Sequence, residues 1–116
     1  MIRVRYTIRP RIRVVSDEGT VVLGPGKADL LEAIGRTGSI RAAAEELGMS
    51  YMRAWTLVRT MNAAFRSALV EKERGGSDQG ARLTERGENV LRLYRQMEAK
   101  AARAIGTDWT RLRKNL

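Results

Sequence analysis

The sequence predicts a mostly α fold with small β-hairpins, and three observations carry that prediction. Apolar residues recur three and four apart through much of residues 27–105, the spacing of one helix face. Two shorter stretches alternate apolar and charged residues, the period of a half-covered strand. Glycine, serine and threonine sit at the joints between these stretches, where caps and turns require them.

The elements follow in order. Arg3, Arg5, Arg9, Arg11 and Arg13 interleave with Ile2, Val4, Tyr6, Ile8, Ile12 and Val14, which predicts a strand that Pro10 demotes to an edge or a bend. Asp17, Glu18 and Gly19 form a turn signal, and residues 20–23 read as the return strand. Gly24, Pro25 and Gly26 stop the hairpin. From Lys27 a helix follows, with Ala28, Leu31 and Ile34 on its stripe, Leu30 beside it, and Gly38 closing it. Ser39 caps a short helix over 40–47 that ends at Gly48. Ser50 caps a third, whose inner stripe is Ala54, Leu57, Val58, Met61 and Phe65. Residues 69–73 alternate as a strand, 74–80 form a glycine-rich polar loop, and 81–83 return. Thr84 opens a long helix with Glu85 and Glu88 near its positive end, running to about Ile105. The rest is read as a basic tail. The organisation is thus a 1–25 hairpin, a 26–83 core unit, an 84–105 helix and a 106–116 tail within one structural domain.

Helix, tight turn, helix and then a hairpin with a glycine-rich tip is the order of a winged helix-turn-helix. The motif needs a small residue where its helices cross closely, and Ala43 and Ala44 supply it. It needs a turn residue that tolerates positive φ, and Gly48 does so without steric cost. Leu47, Met49, Ala54 and Leu57 are the apolar anchors around the turn. Residues 50–64 then form the recognition helix, whose N-terminal part meets base edges in such motifs. The candidate DNA-contacting residues are Ser50, Tyr51, Met52, Arg53, Thr56, Arg59 and Thr60 on that helix, with Lys72, Arg74 and Arg82 at the wing. Arg53 and Arg59 suit guanine or phosphate equally, and Thr56 suits a thymine methyl or a hydroxyl-accepting edge. Trp55 is read as packing against a neighbouring helix rather than stacking on a base.

Composition narrows the function class. The net charge of +9 favours an anionic polymer as partner. There is no Cys and no His, which removes disulfides, thiolate chemistry, imidazole bases and almost every transition-metal site. No GxxxxGK loop and no acid–base dyad occurs. The expectation is a non-enzyme without metal or cofactor. No apolar run is long enough for a membrane helix, and the N-terminus lacks a signal-peptide core, so a cytoplasmic protein is expected.

The last helix carries a second pattern. Val90, Tyr94, Met97, Ala101 and Ala104 alternate spacings of four and three, with Leu91 and Ile105 widening the stripe. These seven residues are the candidate homodimer interface.

Thr37-Gly38-Ser39-Ile40, Ala43-Ala44, Gly48-Met49-Ser50-Tyr51, Ala54-Trp55 and Met61-Asn62, followed by Leu69-Val70-Glu71, Gly75-Gly76, Gly80-Ala81, Leu83-Thr84, Gly87 and Leu93-Tyr94, form an ordered set. This set resembles the N-terminal domain of ModE-type molybdate-responsive regulators. The resemblance implies a winged helix-turn-helix with a long C-terminal dimerisation helix that binds double-stranded operator DNA as a dimer. Members of that family continue into molybdate-binding modules. The residues after Ile105 are too few to form one, so no oxyanion-sensing residue is carried over and no small-molecule effector is expected. The sequence therefore predicts a DNA-binding transcription regulator. The alternatives are a winged-helix protein-interaction module without sequence-specific DNA binding, and RNA binding by the Arg-rich N-terminus.

Overall fold

A computed structural model describes residues 3–73 and 80–116. In chain order the elements are β1 (Val14–Val15), β2 (Val21–Leu23), α1 (Pro25–Thr37), α2 (Ile40–Glu46), α3 (Tyr51–Ala64), β3 (Val70–Lys72), β4 (Ala81–Leu83), α4 (Glu85–Ala104) and α5 (Gly106–Arg113). The strands form two separate antiparallel hairpins, β1–β2 and β3–β4. In the second, Val70, Glu71 and Lys72 face Leu83, Arg82 and Ala81. The expected wing tip, with Arg74, lies outside the described residues apart from Gly80.

Local chemistry sets the helix ends. Pro25 begins α1, where its missing N–H costs nothing, two residues before the expected start. Gly38 ends it in the left-handed region at φ 72°, its N–H donating to Ile34 O. The Ser39 and Ser50 hydroxyls accept from Ala42 N and Arg53 N, capping α2 and α3. Between those helices Gly48 takes φ 68°, and Met49 N donates to Ala44 O across the turn.

Helices α1–α3 enclose the core: Leu30, Leu31 and Ile34 of α1, Ala43 and Ala44 of α2, and Ala54, Val58 and Met61 of α3 are buried. Leu57 and Phe65, expected on the same stripe, are half-buried against its edge. The second hairpin is tied to this core at two points. Ala81 N donates to Gly38 O (2.9 Å) in the turn between α1 and α2. The Asn62 amide accepts from Leu69 N and Val70 N (2.8 and 3.1 Å) and donates to Val70 O (3.0 Å).

Helix α4 packs against the chain just before β3. Thr84 caps it by accepting from Gly87 N and donates its own hydroxyl hydrogen to Ala68 O. Gly87 is dictated by proximity, since a Cβ there would stand 2.1 Å from Leu69 O. Further along, Tyr94 is fully buried and its hydroxyl donates to Ile12 O (2.6 Å). Arg95 binds Asp29 and Glu32 of α1 together with Glu98.

Two expectations are corrected. The alternating N-terminal segment is not a long strand: only Val14 and Val15 enter the ladder. A strand needs a partner of its own length, and β2 offers three residues. The segment expected as a tail contains α5. Asp108 in its first turn and Arg111 and Arg113 in its last complement the helix dipole.

Candidate nucleic-acid interface

Burying Ala54, Val58 and Met61 dictates which face α3 presents to solvent. Met52, Arg53, Thr56, Arg59 and Thr60 are exposed on it, Met52 at 67%. Ser50 and Tyr51 are exposed at its N-terminal end. The Thr56 hydroxyl donates to Met52 O (2.8 Å) and the Thr60 hydroxyl to Thr56 O (2.6 Å). Their hydroxyl hydrogens are therefore committed to the helix, and each side chain offers the outside an acceptor oxygen and a methyl group.

Two arginines lie over aromatic faces beside this surface. The Arg59 guanidinium is 4.8 Å from the Trp55 ring centre, and Arg41 of α2 is 4.4 Å from that of Tyr51. Such stacking orients a cation while leaving its edge N–H groups free to donate. Arg41 and Asn62 were not among the sequence candidates. Arg41 belongs to another helix, and a stack between helices leaves no spacing signal. Asn62 interrupts the apolar flank of α3, which is the one trace of its task in the sequence.

The flank of α3 carrying Tyr51, Trp55 and Asn62 faces the second hairpin across a groove of about 210 Å³. Lys72 is exposed at the rim of this groove. Arg82 is engaged with Glu71 (2.9 Å), so much of its charge is balanced within the hairpin. Arg74 lies outside the described residues.

The expected dimer residues divide. Tyr94 points into its own core, and Val90 and Leu91 pack half-buried against that core. Met97 is 43% exposed, Ala104 is exposed, and Ala101 and Ile105 are half-buried. Leu93, not expected on the seam, is 48% exposed. Among the described residues no helix is long and apolar enough to cross a membrane.

Comparison with known proteins matches residues 27–88, from α1 into α4, to the bacterial regulatory helix-turn-helix protein, lysR family. The chain belongs to this family. Its nearer named relatives are those the ModE resemblance anticipated. It is 40% identical over 89 residues to molybdenum-pterin-binding protein MopA of Rhodobacter capsulatus, covering 76% of this chain and 34% of the relative. It is 35% identical over 88 residues to the DNA-binding transcriptional dual regulator ModE of Escherichia coli K12, covering 72% and 34%. The chain thus spans about a third of the length of the curated relatives it matches. Among solved structures, the CbnR DBD chain of a complex with DNA superposes with a TM-score of 0.58 at 22% identity. That likeness covers 77% of this chain and 95% of the other, and it supports the winged helix-turn-helix fold.

Proposed function

We propose that this lysR-family domain is a cytoplasmic, sequence-specific regulator of transcription that binds double-stranded DNA as a homodimer and carries out no catalysis. The observation that carries the reading is the outer face of α3. A helix held by its neighbours on one side presents Arg53, Thr56, Arg59 and Thr60 on the other, in a chain of net charge +9. These side chains offer the donors, acceptors and methyl groups that distinguish base pairs in a major groove. The relatives named as regulators support the same reading. In a dimer, two such helices would meet successive major grooves about one helical turn apart, roughly 34–36 Å.

Selection of bound duplexes from a random pool at near-physiological salt tests this. Enrichment of a pseudo-palindrome is expected. A pool that shows no preference would favour a protein-interaction module, for which the exposed Met52 would be a contact.

A further inference from the structure

The two flanks of α3 differ. One faces the second hairpin. The other, marked by Arg53 and Leu57, faces the first hairpin and the start of α1. There a hollow of about 200 Å³ is lined by Arg11 and Arg13 of the segment just before β1, Lys27 of α1, Arg53 of α3, and the apolar side chains of Met49 and Leu57. Four cations from three parts of the chain converge on it, and among the described residues no carboxylate lines it. None of the four takes part in an ion pair among the described residues.

Lys27 is held in place. It is half-buried, and its ammonium donates to Val21 O at 2.6 Å, which leaves further N–H groups for an outside acceptor. Arg13 packs beside Gly24, with its Cγ 3.5 Å from where a Cβ would stand. Like charges gathered without a counter-charge repel one another, and an anion in the hollow relieves that repulsion.

We propose that this hollow grips a backbone phosphate of the DNA strand on the side of α3 opposite the second hairpin, with Arg11, Arg13 and Lys27 as its donors. The inference rests on the DNA-binding reading above. A helix lying in a major groove has a phosphate strand along each flank, and the hollow sits where the strand away from the wing would run. The hollow also separates the N-terminal arginines into two groups. Arg5 lies at a different place, in a hollow with Val4, Tyr6, Arg113 and Leu116 near the end of α5. Arg3 and Arg5 are therefore assigned no part in this grip.

The test compares Arg11→Gln/Arg13→Gln with Arg3→Gln/Arg5→Gln, each titrated on the selected duplex and on a scrambled one at several salt concentrations. Thermal unfolding of both variants is measured alongside the wild type to establish that they fold. The first variant is expected to lose affinity equally on both duplexes, with its salt slope lower by about one unit for one lost phosphate contact. The second is expected to keep the wild-type slope. An unchanged slope in the first variant, or an equal fall in both, overturns the proposal. So does saturable binding of inorganic phosphate that needs Arg11 and Arg13 while the DNA slope does not. If the wild type binds no duplex at all, the DNA-binding reading fails and the grip with it. That outcome is distinct from wild-type binding with an unaltered variant slope.

Discussion

Thr56 and Arg59 are neighbours on the same exposed face, yet they meet DNA through different chemistry. Thr56 has its hydroxyl hydrogen committed to Met52 O, which leaves a methyl group and an acceptor oxygen. Arg59 is steadied by Trp55 and keeps its donors. Thr56→Ala and Arg59→Ala are each expected to alter the preference among operator variants by about 1–3 kcal/mol at one position. Binding titrations on single-position variants measure this, and a uniform loss with discrimination intact would mean that another surface reads the sequence. Asn62 acts one level beneath. Its amide satisfies two backbone N–H groups at the buried start of β3. Asn62→Ala leaves both without partners and should lower stability by about 2–4 kcal/mol in denaturant unfolding.

At the scale of elements, α4 is both a prop for the domain and the source of its outward stripe. Its hold on the rest of the chain depends on backbone contact at Gly87. Gly87→Ala would drive a methyl group into Leu69 O, so the helix must shift. A loss of at least about 2 kcal/mol is expected, read from thermal or denaturant unfolding. Arg95 locks the same helix to α1. Burial disfavours its charge, but hydrogen bonds to Asp29 and Glu98 outweigh that and hold its proton more tightly than in a free guanidinium. Winding the helix at the α repeat puts Leu93, Met97 and Ala104 within about 40° of one another, whereas Tyr94 lies about 100° from Leu93. The proposed dimer seam therefore runs through Leu93 and Met97. Leu93→Glu and Met97→Glu should each yield monomers at micromolar concentration, since an unpaired charge at a buried seam is costly. Light scattering beside the wild type checks it, and two dimeric variants would move the seam elsewhere.

The whole molecule is more extended than a self-sufficient domain of this length. Its radius of gyration is 17.0 Å, against about 13 Å for a compact chain of this size. Helix α5 contributes no buried residue, and Val4, Tyr6, Leu93, Met97 and Leu112 are apolar yet exposed. A second copy covering such surface would couple folding to association. The midpoint of thermal unfolding is thus expected to rise with protein concentration, as linkage requires. A midpoint unchanged over a hundredfold range would speak against an obligate dimer.

Capping and turn chemistry acts within four residues, which is why Ser39, Ser50, Thr84, Gly38 and Gly48 could be assigned their tasks from sequence alone. The buried stripes of α1 and α3 were legible for a related reason: one face apolar and the other polar leaves a single way to bury the helix. Helix α4 has apolar residues on adjoining faces, and periodicity alone set Tyr94 on the outward seam. Its burial is decided instead by the Ile12 carbonyl, 82 residues away in sequence, which accepts the Tyr94 hydroxyl. The N-terminal alternation likewise showed a capacity for pairing without a partner to pair with. Gly87, Asn62 and the gathering of Arg11, Arg13, Lys27 and Arg53 share that character. Each depends on segments distant in the chain meeting in space, and only the tertiary structure decides which segments meet.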